Sequence, residues 1–222
     1  MNPSMNMQPY FCSWSGGKDS CMSLYRAMQE GSKPEYLLTM LTEDGLRSRS
    51  HWLPKVFLEA QARSLGIPIV FRSASWQDYE SEFVAALRAF RKEGITAGVF
   101  GDIDGESNRA WVHKVCAETD ISPLQPLWKE DRQKLLDEFI GLDFKSTIVV
   151  LNDKKLGKEF LGKVINAETV AELEQAGVDV CGELGEYHTV VTAGPIFSEE
   201  LVIQAKRKVH HAGYWFLDID GS

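Results

Sequence analysis

Cysteine is scarce in this sequence, and its cysteines follow no pattern that would build a disulfide framework or a paired-cysteine metal site. The 222 residues include four cysteines and no C-x-x-C pair, the four being Cys12, Cys21, Cys116 and Cys181. Reduced thiols and a cytoplasmic location are therefore expected. No apolar run approaches the roughly 20 residues that a membrane helix needs, and residues 1–9 carry no basic side chain. We therefore predict neither a membrane span nor a secretory signal.

The charge balance lacks the basic excess that is typical of general nucleic-acid binding. Lys and Arg number 24 against 32 Asp and Glu, which gives a formal net charge of −8. Because neutralisation of phosphates favours a basic surface, nucleic acid is not expected as a partner, although a local basic groove stays compatible with this charge. A hydrophobic content of 44% and a charged content of 25% indicate a folded globular protein.

Short apolar runs alternate with amphipathic segments through the first part of the chain. Strands are predicted at Tyr10–Trp14, Tyr36–Leu41, Ile67–Phe71 and Ala97–Phe100, and helices at Asp19–Glu30, Leu53–Leu65, Tyr79–Lys92 and Arg109–Glu118. This order predicts a doubly wound α/β fold, in which helices cover both faces of a mainly parallel sheet. Ligands bind such sheets at the carboxyl ends of strands, where the strand order reverses. The loops after Trp14 and Phe100 are therefore the first candidates for a site.

The pattern changes near Pro123. The later segments are predicted as helices at Asp131–Ile140 and Ala167–Ala176, strands at Ser146–Leu151, Leu201–Val209 and Tyr214–Ile219, and a glycine-bearing loop at Cys181–Thr189. We expect two domains, an α/β domain over 1–124 and a smaller α+β lobe over 125–222. In the second of these, Lys206, Arg207 and Lys208 are interpreted as charges that keep an edge strand from pairing.

The densest chemical motif is the hexapeptide Ser15-Gly16-Gly17-Lys18-Asp19-Ser20, between a predicted strand and a predicted helix. Two glycines allow a tight turn close to an anion, and the free N–H groups of a first helical turn favour phosphate. The lysine adds a cation, the serine hydroxyls are donors, and the aspartate is a candidate ligand for Mg²⁺. The alternative is an ordinary turn in which Asp19 or Ser20 caps the helix. Neither G-x-x-x-x-G-K-[ST] nor G-x-G-x-x-G occurs in the chain.

Two further motifs carry candidate residues. Gly101 and Asp102 follow the fourth predicted strand, and Arg109 lies on the next helix; Asp102 suits Mg²⁺ or a ribose, and Arg109 suits a phosphate or carboxylate. A turn aspartate and a solvent-exposed arginine are the alternatives. The Cys181–Thr189 segment groups two carboxylates, an imidazole and two hydroxyls, which could recognise a cation or take up the proton of ammonia. An acidic glycine turn in solvent is its alternative, and His51 is a weaker candidate for facing a ligand.

The hexapeptide resembles the S-G-G-x-D-S pyrophosphate loop (PP-loop) of the ATP pyrophosphatases, in the adenine nucleotide α-hydrolase superfamily. The whole set of motifs is similar to the diphthine–ammonia ligase family. In order, the shared motifs are the pyrophosphate loop, G-D-I, an arginine-bearing helix, P-L-W, C-G-E-x-G-E-[YF]-H-T and G-P-x-F, and they span roughly residues 10 to 200. The chain departs from the family pattern at Leu184, where asparagine is usual, and at His113, where glutamate is common.

The resemblance implies an adenine nucleotide α-hydrolase-like, Rossmann-like domain for ATP over 1–124 and an acceptor-binding lobe over 125–222. It implies an ATP-dependent carboxylate–ammonia ligase that adenylates an acceptor, releases AMP and pyrophosphate, and forms an amide. The implied catalytic residues are Lys18, Asp19, Glu183, Glu186 and His188. The implied ATP-binding residues are Ser15, Gly16, Gly17, Lys18, Asp19, Ser20, Gly101, Asp102, Arg109 and Thr189, with Mg²⁺ at Asp19 and Asp102.

The implied partners are ATP, ammonia and a carboxylate acceptor, with no membrane. In an archaeal or eukaryotic host the acceptor would be diphthine on a translation elongation factor; in any other host it is unknown. Pairing of C-terminal strands between subunits would give a homodimer, which the sequence leaves open. Two alternatives also stay open at this point: a nucleotide-binding protein without catalysis, and a PP-loop enzyme that modifies tRNA.

Overall fold

A computed structural model of the chain describes residues 8–31 and 33–221. The secretory-signal prediction concerns residues 1–9, of which 1–7 lie outside the described part. In chain order the elements are β1 Tyr10–Ser13, α1 Lys18–Gln29, β2 Tyr36–Leu41, α2 Lys55–Leu65, β3 Ile69–Ser73, α3 Tyr79–Lys92, β4 Ala97–Val99, α4 Glu106–Glu118, β5 Ser122–Leu124, α5 Arg132–Gly141, β6 Lys145–Asn152, a 3-10 turn Lys158–Phe160, α6 Ala167–Gln175, β7 Tyr187–Ala193, β8 Ile203–His211 and β9 Tyr214–Gly221.

The chain forms two compact units. Of the described residues, the first unit contains 8–15, 19–31, 33–49 and Gly66–Lys129, and the second contains Gly16–Lys18, Ser50–Leu65 and 130–221. The division into 1–124 and 125–222 stays a prediction; α2 and three residues of the hexapeptide, Gly16–Lys18, belong to the second unit.

A five-stranded parallel sheet forms the first unit, in the order β3-β2-β1-β4-β5. The order reverses between β1 and β4, so the loops that follow these two strands leave from the same edge of the sheet on either side of the reversal. The predicted doubly wound α/β fold is confirmed, and the two loops are the ones that carry the hexapeptide and Gly101-Asp102.

Aromatic side chains fill the core beneath this edge. Phe11 on β1 lies 5.2 Å from Phe90 and 5.8 Å from Phe100, between ring centroids, and all three rings are buried. A Cβ at Gly98 would lie 2.5 Å from Phe11 Cε1, so the glycine makes room for the ring. Burial of each phenylalanine stabilises the fold by about 1.5–3 kcal/mol, and the packing fixes the end of β4 just before Gly101.

The second unit is built on an antiparallel sheet in the order β7-β6-β9-β8. Its strand β7 corrects one prediction: Cys181–Thr189 was expected to be loop throughout, but the strand begins at Tyr187. The buried β-branched run from Thr189 to Thr192 pairs with β6, and such runs are typical of buried strands. The glycines at 182 and 185 masked this signal.

Strand β8 lies at an edge of the antiparallel sheet, as predicted for the basic cluster. Its charges pair with the neighbouring strand, because Lys206 meets Asp220 at 2.5 Å and Arg207 meets Asp218 at 3.4 Å. In the described part of the chain, no helix has both the length and the apolarity to span a bilayer.

Candidate functional site

The hexapeptide connects β1 to α1, and in the first unit its serines come together. Ser15 Oγ and Ser20 Oγ are hydrogen-bonded at 3.0 Å. Gly101 lies against the same turn: a Cβ there would be 2.9 Å from Ser20 N and 3.0 Å from the Asp19 carbonyl carbon. Only a glycine lets the loop after β4 approach the first turn of α1 this closely. Ser15, Asp19, Ser20 and Gly101, four predicted site residues, are thus neighbours.

Asp102 follows Gly101, and its carboxyl group is affected by burial, by a hydrogen bond and by the charge of Asp19. Gln125 Nε2 donates to Asp102 Oδ2 at 3.0 Å. Burial raises the pKa of Asp102, and the charge of Asp19 raises it further, while the hydrogen bond from Gln125 opposes both effects. Carboxylates are the ligand type that Mg²⁺ prefers, so Asp19 and Asp102 are of suitable type to hold it. No group of three or more His, Cys, Asp or Glu residues that could form a metal site by themselves was found among residues 8–31 and 33–221.

Arg109 lies within the first turn of α4, which begins at Glu106 rather than at Arg109 as predicted. Its guanidinium carbon stands 4.3 Å from the centroid of the Trp128 ring, and its Nε donates to His113 Nε2 at 3.3 Å. The side chain is half-buried and not fully exposed. Trp128 belongs to the P-L-W motif. Its ring stacks on the Arg109 guanidinium and fixes the orientation of that side chain.

In the second unit, Gly16 is bound to the strand β7. Gln61 Nε2 donates both to Gly16 O at 3.0 Å and to Val191 O at 2.7 Å, and Val191 N donates to Gly16 O at 2.9 Å. Gly16 has φ +82°, a left-handed conformation that favours glycine. A Cβ at Gly16 would also lie 2.7 Å from Gln61 Oε1. The first glycine of the hexapeptide is therefore required by both its conformation and its surroundings.

Gly17 packs against an imidazole. A Cβ at Gly17 would lie 2.3 Å from His51 Cε1 and 3.0 Å from Thr189 O. His51 Nδ1 and Thr189 O are 2.6 Å apart; because a carbonyl only accepts, Nδ1 carries the proton in this contact. Burial, together with the charge of Lys18, lowers the pKa of His51 to about 4, against the opposing effect of the Thr189 hydrogen bond. The ring is thus neutral at physiological pH.

Lys18 is buried, with 4% of its surface exposed. Its backbone N donates to Thr189 Oγ1 at 3.1 Å, and its Nζ donates to Cys181 O at 2.5 Å. The ammonium group also stands 5.6 Å from the centre of the Tyr187 ring. Within the second unit, Lys18 therefore binds the segment Cys181–Thr189, which lies far from it in the sequence.

The glycine segment is itself held by two buried carboxylates. Asp179 accepts from Cys181 N at 3.0 Å and from Glu183 N at 2.9 Å, and it pairs with Arg132 at 2.7 Å. Glu186, which is 3% exposed, accepts from Leu184 N at 3.0 Å. These bonds determine the shape of the loop, which the sequence had predicted only as irregular.

Two family models match the chain. The model of the diphthamide synthase N-terminal domain matches residues 10–123, and that of the diphthamide synthase C-terminal domain matches residues 131–222. The chain belongs to the diphthamide synthase family. The predicted membership is confirmed.

Proteins named diphthine--ammonia ligase are among the relatives of this chain. That of Rattus norvegicus is 28% identical over 233 residues, which cover 92% of this chain and 86% of the relative. That of Homo sapiens is 25% identical over 232 residues, with the same shares covered. A solved structure, described as a predicted subunit of tRNA methyltransferase from Methanocaldococcus jannaschii, aligns with TM-score 0.46 and 16% identity over 85% of this chain and 98% of its own.

Within this family motif, the structure separates residues that hold the loop from residues that face outward. Glu186 and Thr189 are buried and bonded to the loop and to the hexapeptide, whereas Glu183 and His188 are half-buried. Leu184, one of the two departures, is 63% exposed. Glu183 and His188 are therefore the two predicted catalytic residues of this segment that keep part of their surface exposed.

The sequence did not predict the supporting roles of Gln61 and Asp179, and it indicated His51 only as a weaker candidate. Gln61 gave no signal, because a glutamine on a predicted helix is ordinarily solvated. Asp179 precedes the glycine segment by two residues, and aspartates in that position often accept from backbone N–H groups of a turn. His51 lay in a predicted loop, and only the fold brings it beside Gly17 and within 4.7 Å of the His188 ring.

Proposed function

We propose that this protein is an ATP-dependent amide-forming ligase of the diphthine–ammonia ligase type. The observation that carries the proposal is the hexapeptide, whose two glycines have no room for a side chain and whose lysine is bound to the family's C-G-E-x-G-E segment. A turn that only joined a strand to a helix would not need glycine at both positions. The names of the relatives supply the reaction type.

ATP would bind by its phosphates at the hexapeptide. The free N–H groups at the start of α1 and the positive end of its dipole favour an anion, and the hydroxyls of Ser15 and Ser20 are donors of suitable type. Arg109, fixed on Trp128, supplies a guanidinium for a phosphate. Asp19 and Asp102 would hold Mg²⁺, which would neutralise charge on the phosphates.

In the proposed reaction, an acceptor carboxylate oxygen attacks the α-phosphorus of ATP. The bond from that phosphorus to the bridging oxygen breaks, which releases pyrophosphate and leaves an acyl-adenylate. The nitrogen of ammonia then attacks the acyl carbon, AMP leaves, and the nitrogen loses a proton as the amide forms. Glu183 and His188 are the half-buried groups assigned to orient ammonia or accept that proton, and Lys18 stabilises charge that develops on the phosphates.

Glu186 and Thr189 have a different part in this proposal. Their oxygens accept hydrogen bonds from Leu184 N and Lys18 N, so they would act by holding the glycine segment and the hexapeptide in shape. Their loss would affect binding and catalysis together, because the shape of both loops depends on them.

The decisive experiment measures pyrophosphate and AMP from ATP, Mg²⁺ and a panel of carboxylates, with ammonium present or withheld. Lys18→Ala is expected to lower the rate by a factor of about 100 to 1,000, the usual effect of removing one charge-stabilising donor. Lys145→Ala, which removes an exposed lysine paired with Glu200, is the matched control. Because Lys18 is buried, Lys18→Gln and the melting temperatures of both variants separate a lost fold from a lost function.

Retained pyrophosphate release in folded Lys18 variants would refute the assignment of the hexapeptide. Binding of ATP by the unchanged protein with no AMP formed on any carboxylate would favour a nucleotide-binding protein without catalysis. AMP formation that depends on tRNA would favour a tRNA-modifying enzyme.

A further inference from the structure

A second set of charged and aromatic side chains lies at the carboxyl edge of the parallel sheet, apart from the family motifs. After β2 the chain turns back, with Leu41 bridged to Ser48 and Arg49 N donating to Met40 O at 3.2 Å. Arg49 therefore sits beside the end of β2. Trp76 follows the end of the neighbouring strand β3, which pairs with β2 up to Leu41 and Ser73.

The guanidinium of Arg49 is fixed in place. Its Nε donates to Ala74 O at 3.1 Å, and its Nη2 donates to the same carbonyl. Its carbon stands 4.4 Å from the centre of the Trp76 ring. These contacts use two of the five N–H donors of an arginine, so most of its donors stay available in a fixed orientation. Such an arrangement suits bidentate binding of a carboxylate or phosphate.

Within residues 8–31 and 33–221, Arg49 forms no ion pair with a carboxylate. Among the ion pairs of the described residues, the arginines at 88, 91, 132 and 207 each meet an Asp or Glu, but Arg49 does not. A half-buried guanidinium without a counter-charge, in a protein of net charge −8, is an anion-binding feature.

Two aromatic residues, Trp76 and Tyr79, accompany the guanidinium of Arg49. Trp76 is 73% exposed, although tryptophan is highly buried on average, and its ring lies 5.9 Å from that of Tyr79. Burial raises the pKa of Tyr79; the charge of Asp102 also raises it, and that of Arg49 lowers it. Because the net shift is upward, the phenol stays protonated and keeps its O–H donor.

We propose that Arg49, Trp76 and Tyr79 form a subsite that binds a carboxylate of the acceptor substrate. The inference rests on the proposed ligase function, which requires an acidic acceptor at this edge of the sheet. The phosphates of ATP have their own donors at the hexapeptide and Arg109, so Arg49 is left for a different anion. The exposed indole would cover the apolar part of the acceptor next to its carboxylate.

Binding of sodium benzoate to the full chain tests the subsite without any turnover. Its affinity is measured by NMR titration of the benzoate ring protons, and that of α,β-methylene-ATP by calorimetry. Arg49→Gln is expected to weaken benzoate about tenfold, the value of one charge-assisted contact, and to leave the ATP analogue within about twofold. Trp76→Leu, at an exposed position that should not affect folding, is also expected to weaken benzoate.

Arg88→Gln is the matched control, because it removes one exposed arginine that already pairs with Glu118, and it should change neither affinity. The proposal is overturned if benzoate does not bind saturably, or if Arg49→Gln and Trp76→Leu leave its affinity unchanged. It is also overturned if Arg49→Gln weakens the ATP analogue instead, which would make this a nucleotide subsite. Since benzoate binding needs no ATP hydrolysis, failure of the ligase assay is a separate result.

Discussion

The neutral imidazole of His51 predicts a specific loss of stability in mild acid. The ring is buried between Gly17, Thr189 and His188, and the charge of Lys18 is close. Burial lowers the pKa of His51 to about 4, from an ordinary value of 6.5. The unfolded chain therefore takes up a proton at this residue before the folded chain does. Stability is lost as the pH falls through 6.5 and continues to fall until about pH 4.

The size of the effect follows from the two pKa values. Each pH unit between them is worth about 1.4 kcal/mol, so the free energy of unfolding should fall by about 2.5 kcal/mol between pH 7.5 and pH 4.5. This is a large part of the 5–15 kcal/mol that stabilises an ordinary domain. Other ionisable groups also titrate in this range, so the contribution of His51 has to be isolated by comparison with a variant.

His51→Asn is the comparison, because its side-chain amide can donate to Thr189 O as Nδ1 does but does not titrate. Urea unfolding of both proteins is measured at several pH values from 7.5 to 4.5. Lys18 and His188 are present in both, so their effects largely cancel. We expect the stability of the unchanged protein, relative to the variant, to fall by about 2.5 kcal/mol. Parallel stability curves would refute the neutral, buried state of the ring.

Three further predictions concern the loops. Gly17→Ala is expected to destabilise the protein by about 1–3 kcal/mol in urea unfolding, because the new methyl meets His51; the loss should shrink in a His51→Ala background, and an equal loss would exclude this clash. Asp179→Asn should cost about 3 kcal/mol because it removes the buried negative charge that pairs with Arg132, whereas the exposed Asp137→Asn should cost little; equal melting temperatures would contradict this. Leu184→Asn should change stability by less than about 0.5 kcal/mol, and a larger shift in the unfolding midpoint would mean that the side chain packs.

The parallel sheet could be predicted because its pattern is repeated and local. Each strand was a short apolar run followed by an amphipathic helix, and a glycine-rich turn marked the switch point. Strand β5 was missed because Ser122–Leu124 has three residues with a proline in the middle, and proline removes a strand hydrogen bond. Its pairing with β4 depends on the fold around it.

The support of the site could not be predicted in the same way. Gln61 and Val191 both bind Gly16, although they lie 45 and 175 residues further along the chain, and no local pattern encodes such a contact. The hexapeptide itself was recognisable because its glycines and its setting are chemical requirements of the loop. Which residues support the hexapeptide depends on how distant parts of the chain pack together.

The segment Cys181–Thr189 contains both buried side chains that accept hydrogen bonds and an exposed side chain that does not. Leu184 takes part through its backbone, since its N donates to Glu186 and its O accepts from Lys155, while its side chain faces solvent. Replacing the usual asparagine by leucine therefore leaves the loop's hydrogen bonds in place. The buried Glu186 and Thr189 maintain the loop and the hexapeptide whatever the acceptor is. The hydrogen-bonded part of the motif is therefore buried, and the departure from the family pattern at Leu184 lies on an exposed side chain.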